Sequence, residues 1–339
     1  MEQKDVLAGD VACSSSISFA TDQADHHARK SLRKGIVFCL VATVLYACAN
    51  ICYKELSVLN VDVRLTLFLK EMICATCVSP VIIFLAFHRR YVWPTWRWIL
   101  FLFVGAFLCE FIGARLHLWS IGVIGLVVSL PLLQASNMVC SAVIGYALLG
   151  EHVSRRCRLV MVVMLAAICC LFFRPGPSDT DYLEQVVAGN SLLLGSIGAV
   201  VAGVAYSVYI IFLRRSTNSR QMPMTFIAVE VTMTGAMIFG FEFLRDHSFE
   251  VSAIWEHVPS RGWPLIVLAG LLNMVGFLFQ IAGLRYTVVA RAQMISVSQI
   301  VIGTLFGVFF YGEMTNALVW LGVTLTVLGI VFVSTPEKV

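Results

Sequence analysis

Ser136–Glu151 reads SNMVCSAVIGYALLGE, and 162 residues later Ser298–Glu313 reads SQIVIGTLFGVFFYGE. Serine, side-chain amide, valine, glycine and the closing Gly-Glu pair fall in register, and Ser141/Gly145 becomes Gly303/Gly307. A second echo lies upstream: Gly35, Tyr46 and Lys54 return 160 residues later as Gly195, Tyr206 and Arg214. The chain is therefore two copies of a unit of roughly 140 residues, the duplication from which carriers build two halves around a central site.

The solvent for these copies is lipid. The chain is 59% hydrophobic and 13% charged, with a mean hydropathy of +0.87, against about 25% charged residues in soluble domains. Ten apolar stretches stand near the ~20 residues needed to cross hydrocarbon: 35–53, 64–87, 98–118, 122–149 and 157–173, then 191–213, 223–244, 263–284, 288–311 and 317–334. Five spans per copy is an odd number, so the second copy enters from the opposite side. The expected fold is an all-α integral membrane protein of ten transmembrane helices in two inverted five-helix repeats. Its units are a disordered tail at 1–33, a first repeat at 34–174, an outer linker at 175–190, a second repeat at 191–334 and a tail at 335–339.

Loop charge sets the orientation. With the N-terminus inside, the inner side collects 17 of the 24 Lys and Arg residues, Arg155, Arg156, Arg158, Arg214 and Arg285 among them. Of the acids in loops between spans, most lie on the outer side, Asp179, Asp181, Glu184, Asp246, Glu250 and Glu256 among them. The positive-inside rule then places both termini in the cytoplasm, in a cell (inner) membrane. Residues 30–50 imitate a secretory signal, but cleavage there would destroy the helix whose Gly-Tyr-basic pattern is repeated.

Eleven cysteines suggest disulfides or metal until they are placed. Ten lie in spans or at their ends with no histidine partner, where cysteine packs as a small apolar residue. No aspartate lies within a span, no Gly-x-Ser-Gly accompanies a helix histidine, and neither a P-loop nor a GxGxxG is present. No enzyme activity, catalytic residue, metal, cofactor or nucleic-acid partner is expected.

Ionisable residues inside the spans carry more information, because each costs at least ~2.5–3.5 kcal/mol at the bilayer centre and faces a cavity or a partner. They are Lys70 and Glu71 in span 2, Glu110 and Arg115 in span 3, and Glu230 in span 7. Lys70, Glu71 and Arg115 lie at similar outer depth, with Glu110 about 7.5 Å deeper. An offset of 160 carries Lys70 onto Glu230, and an offset of 165, read from Trp98/Gly105 and Trp263/Gly270, carries Arg115 onto Gln280. An outer gate would thus be mirrored by an inner one, the alternative being a plain Glu71–Arg115 pin. Tyr46, Asn50, Asn137, Tyr206, Asn273 and Gln299 complete the candidate cavity set; Asn137 and Gln299 are repeat equivalents, and Asn273 and Gln280 share a helix face. Ser141/Gly145 and Gly303/Gly307 read as close helix contacts. Glu110, with no basic residue one turn away, is the candidate proton carrier; a permanently protonated, hydrogen-bonded carboxyl is the alternative.

Five spans per half, with YALLGEHVS closing the fourth and FFYGEMTN the ninth, resemble the EamA-type branch of the drug/metabolite transporter superfamily. The resemblance covers about 35–334. It implies ten helices in two inverted halves, a central cavity lined by the first four helices of each half, and secondary transport, often export of small metabolites. Glu151 and Glu313 match the motif glutamates, for which it implies structural roles at helix ends.

The function expected is a secondary transporter, an exporter, moving a small polar or amphipathic metabolite by alternating access. Partners are that metabolite, a proton as coupling ion and the lipid bilayer, with a homodimer left open. The alternative is a non-transporting sensor or assembly subunit on the same scaffold.

Overall fold

Helix is the regular structure throughout the computed structural model, which describes residues 3–88, 93–151, 153–172, 191–219, 221–311 and 317–334. The first half comprises α1 (Gln3–Val58), α2 (Val63–Phe87), α3 (Trp96–Gly125), α4 (Ser129–Leu149) and α5 (Arg155–Phe172). The second comprises α6 (Ser191–Asn218), α7 (Met224–Asp246), α8 (Gly262–Leu284), α9 in two pieces (Val289–Ser296 and Ser298–Tyr311) and α10 (Ala317–Ser334). Each of the ten apolar stretches is helical. Among the described residues, eight helices are long and apolar enough to cross a membrane, and a shorter apolar segment covers Trp320–Phe332 within α10. The linker at 175–190, Glu313 and the tail at 335–339 lie outside the described residues.

Several boundaries differ from the sequence reading for physical reasons. The tail at 1–33, expected to be disordered, is helical from Gln3 as part of α1. It contains no proline, so a helix seeded in the apolar span propagates outward at one hydrogen bond per residue. The third span runs on to Gly125, where φ of 76° and ψ of 165° break the chain. The ninth span is broken at Val297, where Ser296 and Ser298 each return a hydroxyl hydrogen bond of 2.7 Å to a carbonyl three residues back, a competition that bends helices.

Helix α2 starts on Asp62, whose carboxylate accepts the N–H of Arg64 at 2.6 Å. Burial alone would raise the Asp62 pKa, but the Arg64 contacts win and hold it below the usual value. Helix α4 ends on Gly150 in the left-handed conformation, with φ of 64°, a C-cap that only glycine adopts without strain. That turn throws Glu151 sideways. Its Oε1 pairs with Arg214 Nε of α6 at 3.0 Å, and its Oε2 accepts the Val289 N–H at 2.8 Å, at the positive end of α9. Arg214 also donates to the Leu284 carbonyl at the end of α8. The Gly-Glu motif is thus a clasp that gathers four helices, in keeping with the structural role its resemblance implied.

The most extensive helix pairings join the two halves: α1 with α8, α6 with the end of α3 and with α4, α2 with α7, and α5 with α10. Exchanging the halves maps α1–α8 onto α6–α3 and returns the α2–α7 and α5–α10 pairs to themselves, as a two-fold relation requires. Phe103, Phe107 and Phe111, four residues apart on α3, remain exposed, as a face turned to lipid should.

The tight helix contact is not where the small-residue pairs suggested. A Cβ on Gly145 would meet nothing nearer than 3.8 Å, and one on Gly303 nothing nearer than 3.9 Å. On Gly203 of α6 a Cβ would collide with Ser136 Oγ and the Leu133 carbonyl and reach Asn137 N at 3.0 Å. Backbone cannot swing away as a side chain can. Gly203→Ala should therefore destabilise the protein by about 1–3 kcal/mol, read as a lower thermal midpoint in detergent, whereas Gly145→Ala should leave that midpoint unchanged.

Candidate functional site

Polar side chains cannot be left facing hydrocarbon, and those of α1–α4 and α6–α9 turn inward together. They surround a cavity of about 170 Å³ between the halves, room for on the order of ten waters. Tyr46 and Asn50 of α1, Lys70 and Glu71 of α2, Glu110 of α3, Asn137 of α4, Tyr206 of α6, Asn273 and Gln280 of α8 and Gln299 of α9 all line it. Of the candidate residues, Arg115 and Glu230 stand outside the lining.

The charged cluster is assembled by three helices. Lys70 Nζ lies 2.6 Å from Glu71 Oε1, both buried. A Cβ on Gly235 of α7 would sit 3.0 Å from the Glu71 side chain and 3.1 Å from that of Glu110, so this one glycine makes the notch that admits both carboxyls. Glu110 belongs to a π-helical turn, Cys109–Ala114, a distortion that recurs at functional sites. Its Oε1 has the Cys109 thiol at 3.7 Å, and its Oε2 has no hydrogen-bond partner among the described residues.

The expected outer gate of Lys70, Glu71 and Arg115 does not form, nor does a Glu71–Arg115 pin. Arg115 pairs instead with Glu242 of α7 and lies over the Phe111 and Phe239 rings at 4.9 and 5.7 Å. Depth along the axis left azimuth out, and between Glu110 and Arg115 the chain makes a π turn that departs from regular helical spacing. The inner counterpart also dissolves. Gln280 bonds to Tyr46 across the cavity, and Glu230 is half-buried off the cavity with neither carboxylate oxygen hydrogen-bonded among the described residues.

A different symmetry replaces it. Tyr46 donates to Gln280 Oε1 at 2.8 Å, while its repeat equivalent Tyr206 faces His117 Nδ1 at 3.4 Å. Each tyrosine ring packs on a glycine of the same partner helix: Tyr46 on Gly276, with a Cβ there 3.3 Å from the ring, and Tyr206 on Gly113, with a Cβ there 2.9 Å away. Gly113/Gly276 and His117/Gln280 share an offset of 163 residues. The counterpart of Gln280 is therefore His117, and the offset of 165 drawn from Trp98 and Gly105 does not hold here. The cavity wall includes a break in regular helix, the π turn in α3, which slips the register between the copies.

Two further bonds cross the cavity: Asn50 Nδ2 to Gln299 Oε1 at 3.3 Å, and Asn137 Nδ2 to Gln293 Oε1 at 2.9 Å. All four of these side-chain contacts link a helix of the first half to one of the second. Tyr53, Tyr209 and Gln293 were not among the candidates yet line the cavity. Helical spacing could have found the first two: Tyr46, Asn50 and Tyr53 recur at four and seven residues on one face of α1, and Tyr209 follows Tyr206 by three on α6.

Residues 193–335 match the EamA-like transporter family. The match covers the second repeat, so the resemblance read from FFYGEMTN holds there. The chain is also 26% identical over 244 residues to the uncharacterized transporter YwfM of Bacillus subtilis (strain 168), covering 72% of this chain and 75% of that one. A solved crystal structure superposes with a TM-score of 0.64 over 88% of this chain and 95% of its own, at 16% identity, a likeness of fold alone. The protein is thus similar to multi-pass membrane transporters with small-molecule substrates.

The Arg115–Glu242 pair and the tyrosine contacts should differ in weight. Losing one partner of a buried ion pair costs ~3–5 kcal/mol. Arg115 retains 35% of its side-chain exposure, which reduces the expected loss for Arg115→Ala to about 1–3 kcal/mol. Tyr46→Phe should cost about 0.6 kcal/mol, the average for a hydrogen bond between membrane helices. Thermal unfolding of the two variants and of the Arg115→Ala/Glu242→Ala double variant checks this, with the double variant no less stable than the single.

Proposed function

We propose that this chain is a secondary carrier that moves a small polar or amphipathic metabolite by alternating access, in the direction of export, rather than an enzyme. The observation that supports it best is the position of the cavity: every side-chain contact described across it joins one half to the other. A carrier of two related halves rocks one half against the other around a fixed site. Bonds that bridge the halves are those that such a motion would break on one side and re-form on the other.

Individually these contacts are weak enough to exchange. A hydrogen bond between membrane helices averages ~0.6 kcal/mol, so a few of them hold one state without trapping it. The mirrored Tyr46–Gln280 and Tyr206–His117 contacts offer equivalent latches for the two states. Gradient energy would enter through Glu110, a buried carboxyl with an unpartnered oxygen beside the Lys70–Glu71 pair. Intramembrane acids commonly relay protons in this way. The reading includes ten crossings in a cell (inner) membrane, with both termini cytoplasmic.

Topology and coupling test the proposal separately. In a variant with its native cysteines replaced, Arg155→Cys should label only from the cytoplasm and Glu250→Cys only from outside; labelling of both from one side removes the two-halves reading. In cells overproducing the protein, a panel of toxic metabolite analogues should reveal at least one class to which sensitivity changes, and Glu110→Gln should abolish the change. In proteoliposomes loaded with that analogue, Glu110→Gln should lose transport driven by a pH gradient. Full gradient-driven transport in Glu110→Gln would remove it as the coupling site.

A further inference from the structure

Three charged side chains line the cavity, Lys70, Glu71 and Glu110, together with His117. Lys70 and Glu71 neutralise one another at 2.6 Å, which leaves one carboxyl in excess of cations. The other arginines within the membrane core stand away: Arg115 pairs with Glu242, and neither Arg115 nor Arg291 reaches the cavity wall. An anionic ligand would find no uncommitted cation here, and burying a charge without a partner is prohibitive.

The unsatisfied atoms point the same way. Glu110 Oε2 and Asn137 Oδ1 are buried acceptors without a hydrogen-bond partner, and both side chains line the cavity. Asn137 gives one of its two amide N–H groups to Gln293, and its Oδ1 can only accept. The Tyr53 and Tyr209 hydroxyls and His117 Nε2 are also buried in the lining with no partner among the described residues, and each of these can donate or accept. The Glu110 carboxylate is the charged group of this set and can only accept, so it selects for a cationic donor. Four tyrosines, Tyr46, Tyr53, Tyr206 and Tyr209, contribute rings to the wall, and aromatic faces attract cations, more strongly where water is excluded.

We propose that the cavity binds a protonated primary amine, its ammonium group seated on Glu110 and its body among the tyrosines. This names the substrate class of the carrier reading and rests on that reading for its physiological meaning, though not for the binding itself. An ammonium brings three N–H donors and no acceptor. A zwitterion would need a second, cationic anchor for its carboxylate, and Lys70 is committed to Glu71.

The test is equilibrium binding to the full chain in nanodiscs, with phenethylamine, 2-phenylethanol, phenylacetate and phenylalanine as matched probes and cadaverine as a second amine. Phenethylamine should bind at least about tenfold more tightly than the alcohol, the margin of one charge-assisted hydrogen bond, and more tightly than phenylacetate or phenylalanine. Glu110→Gln should lose that preference while keeping affinity for the alcohol, and Glu110→Asp should keep part of it. The selectivity of the unaltered protein decides the class even if Glu110→Gln does not fold. Tighter binding of phenylacetate or phenylalanine, no binding of either amine, or unchanged amine affinity in a folded Glu110→Gln would each overturn the proposal. Counterflow in proteoliposomes separates the two readings. Amine binding without counterflow leaves the amine site and removes the carrier; counterflow of carboxylates without amine binding leaves the carrier and removes the amine site.

Discussion

A polar atom carried into hydrocarbon must be satisfied by protein or by trapped water, since lipid offers it nothing. In this chain that constraint is met largely across the boundary between the two halves. Tyr46 finds Gln280, Tyr206 faces His117, Asn50 finds Gln299 and Asn137 finds Gln293. Arg115 reaches Glu242, and Glu151 reaches both Arg214 and the first N–H of α9. Lys70 and Glu71 satisfy one another within the first half, but these tyrosines and amides find their partners in the other half. The cavity is the part of that boundary where the side chains stop short of meeting.

Glycine decides how closely the halves approach. Gly113 and Gly276 receive the two equivalent tyrosine rings, Gly235 admits two carboxyls side by side, and Gly203 lets α6 lie against the backbone of α4. These are places where a side chain was removed so that another could be positioned, an arrangement membrane proteins favour because packing, not hydrophobicity, holds their helices together. The stretch around Glu110 shows the same economy. A π turn widens the helix at the point where its acid enters the cluster with Lys70 and Glu71.

The Gly-Glu motif links the two scales. Gly150 ends α4 by turning left-handed, and the next residue, Glu151, is thereby aimed away from its own helix. Its carboxylate then clasps α6 and caps α9, while Arg214 extends the clasp to the end of α8. A motif recognisable as two letters therefore works as a four-helix junction, and its second occurrence follows from duplication of the unit that needed it.

The amino-acid sequence by itself determined the membrane class, the all-helical fold, the places of the apolar helices and the duplication, because these rest on composition, periodicity and self-similarity, which are local or linear properties. It also marked ten of the residues that line the cavity, since an intramembrane polar residue has few other places to go. It could not pair them. Arg115 was grouped with Lys70 and Glu71 by depth, and only the tertiary structure turned it toward Glu242, an acid at a span end that depth alone did not single out. Gln280 was matched to Arg115 by counting residues, and the structure matched it to His117, because register between copies slips where regular helix is broken. The tail at 1–33 read as unstructured by composition, yet it continues a helix begun in the membrane. Azimuth, register and the spread of helix from a nucleus depend on neighbours distant in the chain, and for that reason the folded structure decided them.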